Sequence, residues 1–127
     1  MQKQTYRLGD LQLKIMKVLW EKSEASVPEI HETLQTDKEL AYTTIATMLR
    51  KMEARGLVKH RVEERKFIYT AAVREDAVSK KMTEHLLDHL FEGSLADMVS
   101  HLLSSREISP EELSKLQRLI TERKKKK

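Results

Sequence analysis

Apolar residues recur at intervals of three and four along most of the chain, which is the spacing of one face of an α-helix. The first such segment predicts a helix that Gly9 caps and that ends near a large apolar anchor, Trp20. A short second helix should begin at the capping box Ser26-Val-Pro-Glu29 and end near Gln35. The apolar positions of the first helix are Leu8, Leu11, Ile15, Val18 and Leu19.

A third helix follows, and its two faces differ sharply. The buried stripe should consist of Ile45, Met48, Leu49 and Met52. The helix should stop near Arg55, because Gly56 tolerates the positive φ that favours a helix C-terminus. The opposite face begins with short hydroxyl and methyl groups and continues with cations. It comprises Thr43, Ala46, Thr47, Arg50, Lys51 and Ala54, with Thr44 at its border.

Two runs of β-favouring residues, 57–62 and 66–70, flank the polar Glu63, Glu64 and Arg65 and predict a hairpin. A short helix, a turn, a threonine-rich helix and a hairpin are the elements of a winged helix-turn-helix. We therefore predict such a domain over residues 1–73. The fold class is mainly α with a small β-hairpin wing.

Charge indicates what the third helix and the wing bind. Residues 41–70 hold seven Lys and Arg against three Glu, a net charge of +4 that equals the formal charge of the whole chain. A B-form major groove admits one α-helix, and threonine can hydrogen-bond to bases or phosphates. We therefore expect double-stranded DNA as the partner, although an amphipathic helix with a basic face can also be an ordinary solvated surface helix.

Three further helices are predicted after Val73: one of about 18 residues, one over residues 95–104, and one that begins at the capping box Ser109-Pro-Glu-Glu112. Helices this short would bury little apolar surface alone. We therefore predict a dimerisation domain over residues 74–127, completed by a second copy. Its apolar contacts should be Leu86, Leu90, Phe91, Leu95, Met98, Val99, Leu102, Leu103, Leu113, Leu116 and Ile120.

The charge balance also separates the two predicted domains. Residues 71–122 contain six cations and ten acids, so DNA would repel this helical body. The basic tail, residues 123–127, adds five cations. We expect the tail to be a solvated, disordered end, with a phosphate contact as the alternative.

Composition excludes several other classes of protein. The chain has no cysteine and only three glycines, which rules out disulfides, thiolate metal sites and a glycine-rich phosphate loop. No histidine has a serine or carboxylate neighbour in a catalytic motif, so we predict neither an enzyme nor a cofactor. No run of about 18 apolar residues and no secretory signal is present, so a cytoplasmic location without membrane insertion is expected.

A histidine pair is the one candidate for a metal site. His85 and His89 are separated by one helical turn and could ligate zinc, with His101 or an acid as a further ligand. Two solvated histidines on a dimer helix are the favoured interpretation. We therefore predict no metal site.

Four motifs taken together resemble the BlaI/MecI/CopY family of bacterial repressors, the penicillinase repressors. They are IMKVLWEK at residues 15–22, AYTTIATMLRKMEARGLV at 41–58, LFEGS at 90–94 and ISPEELSKLQRLI at 108–120. The resemblance implies a homodimeric winged-helix repressor of β-lactam-resistance or related genes. It further implies near-palindromic operators and, as upstream partner, a membrane sensor protease of the BlaR/MecR type.

The resemblance also implies particular site residues. DNA contacts would fall on Thr43, Thr44, Ala46 and Thr47, and phosphate contacts on Arg50, Lys51 and the wing cations Lys59, Arg61, Arg65 and Lys66. Ala46 departs from relatives that carry a long charged side chain there. The inactivating cut of well-known members, at an Asn-Phe bond, would correspond to His101–Leu102. Copper sensing through a cysteine motif is excluded because the chain has no cysteine.

Two alternatives remain open. The chain could be a repressor of the same family that answers a different signal. It could also be a winged helix that docks an acidic protein without specific DNA binding.

Overall fold

The computed structural model describes residues 8–35 and 40–126, in two compact units, Met1–Glu84 and His85–Lys127. The division lies inside the fourth helix, whereas the functional boundary after residue 73 stays a prediction. In chain order the elements are α1 (Asp10–Lys22), β1 (Ala25–Ser26), α2 (Val27–Thr33), α3 (Tyr42–Ala54), β2 (Val58–Glu63), β3 (Lys66–Ala71), α4 (Glu75–Leu90), α5 (Leu95–Ser104) and α6 (Pro110–Lys125).

Helices α1, α2 and α3 and the sheet enclose the core of the first unit. The predicted stripes of α1 and α3 face this core, but Met48 is only half-buried at its edge. Trp20 is also half-buried, and its Nε1–H donates a hydrogen bond of 3.0 Å to the Val73 carbonyl. The fully buried side chains include Ile15, Met16, Leu19, Ile30, Ile45, Leu49, Met52 and Tyr69.

Side-chain hydrogen bonds fix the geometry of the helix-turn-helix. The predicted capping box forms at α2: Ser26 Oγ accepts from Glu29 N at 3.3 Å, and Ser26 N donates to Glu29 Oε1 at 2.8 Å. At the start of α3, the Leu40 carbonyl accepts hydrogen bonds from His31 Nε2 at 2.7 Å and from Gln35 Nε2 at 2.9 Å. These bonds join α2 and the turn after it to the residue that precedes the N-cap of α3.

The sheet has three antiparallel strands in the order β1-β3-β2. The predicted hairpin is therefore confirmed, with Glu63 opposite Lys66 at its tip. Strand β1, which pairs Ala25 with Tyr69 and Ser26 with Ile68, was not predicted. Two residues are too few to show the alternating pattern of a strand.

Positive φ angles occur at the end of α3 and at the tip of the wing. Gly56, with a φ of 79°, ends α3 as predicted, and the Leu57 N–H donates to the Met52 carbonyl at 3.0 Å. At the wing tip, Glu64 and Arg65 have φ angles of 50° and 67°. This is the geometry of a type I′ turn, which glycine and asparagine adopt more easily than glutamate or arginine.

The second unit contains the end of α4 and helices α5 and α6. Ser94 caps α5, and Ser109 caps α6 by accepting a hydrogen bond of 3.1 Å from Glu112 N. The reciprocal bond of a capping box was predicted at α6 but is not formed between these two residues. The expectation of a disordered tail is also wrong, because α6 continues to Lys125. The cations in its last turn stabilise this helix C-terminus through the helix dipole. Lys127 lies outside the described residues.

Candidate nucleic-acid interface

The outer face of α3 presents three residues in a line along the helix. Thr43, Thr47 and Lys51 are spaced by one helical turn, and all three side chains are exposed. Thr44, at the border of this face, is also exposed. Short hydroxyl side chains allow a helix to approach base edges closely, and a terminal cation suits a phosphate.

A second line on α3 faces the wing. Ala46 is half-buried, and it lies with Arg50 in a cleft of about 320 Å³ between α3, the start of α2 and the wing. Arg65 and Lys66 line the opposite side of this cleft. Arg50 also donates from Nη2 to Thr47 Oγ1 at 3.3 Å. The cleft therefore brings cations from the helix and the wing together, as a bound phosphate requires.

The four wing cations do not share one environment. Lys59, Arg65 and Lys66 are exposed and form no ion pair with the residues that the structure describes. Arg61 forms a bidentate pair with Glu24, at 3.0 and 3.1 Å, and a further ion pair with Glu63 at 3.1 Å. The hydrogen bonds that Arg61 donates to Glu24 raise the pKa of Arg61 and lower the pKa of Glu24. Arg61 is therefore already paired with two carboxylates within the described chain.

The structure also shows a contact between the wing and α3 that was not predicted. His60 Nδ1 lies 2.8 and 2.9 Å from the two carboxylate oxygens of Glu53. The His60 ring stacks on Phe67 with centroids 4.2 Å apart. Beneath them, burial raises the pKa of Tyr69, and the charge of Glu53 raises it further. No pattern in the sequence indicates this contact, because it depends on the hairpin register, which sets His60 opposite Tyr69 only in the folded chain.

The apolar residues predicted for dimerisation are largely uncovered within one chain. No residue of α5 or α6 is buried. Leu90 is 66% exposed and Leu95 is 61% exposed. Leu86, Leu102, Leu103, Leu113 and Ile120 are also exposed, whereas Phe91, Met98, Val99 and Leu116 are half-buried. The unit therefore has an extensive apolar surface without a partner in the single chain.

The histidines of the second unit show two different arrangements. His85 and His89 stack with ring centroids 3.9 Å apart, and within the described chain no three potential ligands form a metal cluster. The ring centroids of His101 and Phe91 are 5.8 Å apart, and both residues of the candidate cleavage bond, His101 and Leu102, are exposed.

None of the described helices is long and apolar enough to cross a membrane.

Comparison with known proteins identifies the family. A family model described as penicillinase repressor matches residues 8–122. The chain belongs to the penicillinase repressor family. The predicted family is thereby confirmed, and its members are DNA-binding transcriptional repressors and not enzymes. Relatives of the family match nearly the whole chain: the Bacillus licheniformis penicillinase repressor is 29% identical over 121 residues, which cover 95% of this chain and 94% of the relative.

Other similarities agree with this family. The methicillin resistance regulatory protein MecI of Staphylococcus aureus is 21% identical over 123 residues, 97% of this chain and 100% of MecI. The DNA-binding domain of the repressor BlaI has a TM-score of 0.51 at 32% identity, covering 59% of this chain and 90% of that domain. The Bacillus licheniformis BlaI monomeric form in complex with the blaP half-operator has a TM-score of 0.50 at 32% identity, covering 60% and 92%. The predicted winged-helix fold is thereby confirmed.

Proposed function

We propose that this repressor acts as a homodimer and binds a near-palindromic operator through α3 and the wing of each subunit. The observation that carries the proposal is the exposed threonine line of α3 beside a cleft that contains cations of both α3 and the wing. The similar BlaI monomeric form is in complex with a half-operator, which supports one half-site per subunit. Two recognition helices then bind successive major-groove turns, about 34–36 Å apart.

Within each half-site, we assign base contacts to Thr43, Thr44 and Thr47, with Ala46 close to the DNA at the edge of the cleft. Arg50 and Lys51 would bind phosphates next to the major groove. Of the wing cations, Lys59, Arg65 and Lys66 would bind phosphates directly. Arg61 would contribute less to phosphate binding, because its guanidinium is already paired with Glu24.

Retention of fragmented genomic DNA from the organism that encodes the chain tests this function. At about 150 mM salt, nonspecific phosphate binding is weak, so a repressor should retain fragments that share a near-palindromic site. Thr47→Arg should change which site is enriched, whereas Lys17→Ala, on the exposed surface of α1, should not. Retention without a shared site would refute operator binding and favour the protein-docking alternative.

The apolar surface of the second unit supports dimerisation. Leu102→Asp places a carboxylate on the apolar side of α5 and should convert the dimer to a monomer, because burying a charge without a partner is costly. Ser100→Asp adds the same charge to the polar side of α5 and should leave the dimer intact. Sedimentation measures both variants, and an intact dimer of Leu102→Asp would refute this interface.

We further propose that the target genes serve β-lactam resistance and that proteolysis at His101–Leu102 relieves repression. The printed names of the relatives, a penicillinase repressor and a methicillin resistance regulatory protein, support this target class. The exposure of both residues in the single chain supports cleavage. Coexpression with a BlaR/MecR-type protease, followed by sequencing of the new N-terminus, tests the proposal.

A different inducing signal is the second candidate, and the His101–Leu102 bond favours it because this bond differs from the Asn-Phe bond of well-known members. A chain that stays intact after β-lactam treatment of cells, while its operator remains occupied, would favour this candidate. Cleavage at another bond of α5 would retain proteolytic relief but refute the assigned position.

A further inference from the structure

Glu53 and His60 connect the recognition helix to the wing. Their side chains are 33% and 28% exposed, and His60 Nδ1 lies within hydrogen-bonding distance of both Glu53 oxygens. The Phe67 ring lies nearly parallel to the His60 ring, with an angle of 13° between the planes. His60 is therefore held from two directions, by a carboxylate of α3 and by an aromatic ring of β3.

This contact lies where the hairpin leaves the core. The neighbouring Tyr69 and Val58 are buried, whereas β2 continues beyond His60 with three exposed residues, 61–63. Val62 is 60% exposed. The distal part of the wing therefore lacks a packed core of its own, and the contact between Glu53 and His60 restrains it near its base.

Glu53 places a negative charge on α3, the helix that is proposed to bind DNA. Glu53 lies one turn beyond Arg50 on α3, and its contact with His60 shows that it faces the wing. A negative charge near a DNA backbone weakens binding. A hydrogen bond to His60 gives this carboxylate a role that offsets its repulsion of phosphates.

We propose that Glu53 and His60 are positioning residues that set the distance between the wing and α3, so that the threonine line and the wing cations bind one half-site together. This proposal rests on the proposed operator binding. Contacts at two places on one DNA molecule require a fixed spacing, and a restrained wing loses less conformational freedom on binding. Nonspecific binding uses phosphates in many registers and requires no such spacing.

A double-mutant cycle on the full chain tests the proposal, with the retained genomic fragment as operator and a random duplex as reference. Loss of a hydrogen bond to a charged group should make His60→Ala bind the operator about tenfold more weakly, with less than about a twofold change on random DNA. His60→Asn, whose amide nitrogen can take the place of Nδ1 and donate to Glu53, should recover most of this loss. Glu53→Ala should weaken operator binding in the original chain but not in the His60→Ala background.

Control measurements separate positioning from stability. Glu21→Gln removes an exposed carboxylate of α1 and should change neither affinity. Thermal unfolding followed by Trp20 fluorescence should show the His60 variants folded at the assay temperature. Additive effects of the two substitutions, or equal losses on both DNAs, would overturn the positioning role. If the original chain prefers no fragment, operator binding itself is refuted and the positioning role falls with it; a preference without coupling refutes the positioning role alone.

Discussion

Alanine substitutions of Lys59 and Arg61 should affect DNA binding differently, although both cations lie on β2 and the sequence predicted the same role for both. Lys59 is exposed and forms no ion pair with described residues, whereas Arg61 is held by Glu24 and Glu63. Counterion release counts the phosphates that a protein newly neutralises. A guanidinium already paired with carboxylates contributes little to that count.

The expected magnitude follows from one lost phosphate contact per subunit. Each contact contributes about 0.9 to the slope of log affinity against log salt, so Lys59→Ala in a dimer should reduce the slope by about 1.8. Between about 50 and 200 mM salt, the original chain should therefore lose about twelvefold more affinity than the Lys59→Ala variant. For Arg61→Ala the change in slope should be close to zero.

Fluorescence anisotropy of a labelled duplex, measured at four or more salt concentrations, gives these slopes. Lys17→Ala removes an exposed cation of α1 and controls for the change in net charge. Glu24→Gln should release Arg61 and make the slope steeper. Equal changes in slope for Lys59→Ala and Arg61→Ala would refute the conclusion that the ion pairs withdraw Arg61 from DNA.

Three further outcomes concern the stability of the first unit, each measured by denaturant or acid unfolding with the fluorescence of the single tryptophan. Leu49→Ala should lower the free energy of unfolding by about 3 kcal/mol because the side chain is fully buried, whereas Val62→Ala, on the exposed wing, should lower it by less than about 0.5 kcal/mol. Similar losses would contradict the observed core. Glu64→Asn should raise the free energy of unfolding by about 0.5 kcal/mol, since asparagine tolerates the φ of 50° better than glutamate. An unchanged denaturation midpoint would show that the turn is unstrained. The backbone hydrogen bond from Ser26 lowers the pKa of Glu29, so stability should be lost as the pH falls below about 4.5 and through the lowered pKa, and Glu29→Gln should reduce this loss. An unchanged acid transition would contradict that assignment.

The sequence determined the helices and the wing hairpin in their order along the chain, because these depend on local patterns. The spacing of Ile45, Leu49 and Met52 fixed the buried side of α3, and Gly56 fixed its end. The capping box at Ser26 marked the start of α2. Since the exposed face of a helix is the complement of its buried face, the threonine line of α3 was also predictable.

Tertiary structure decided which charged residues are available and which are paired. Arg61 reaches Glu24, a residue 37 positions away, and His60 reaches Glu53 only because the hairpin folds against α3. The two-residue strand β1 exists because β3 supplies its hydrogen-bonding partner. Periodicity shows which residues of a segment face the core and which face solvent. A specific ion pair depends instead on the distance between two segments, and only folding brings those segments together.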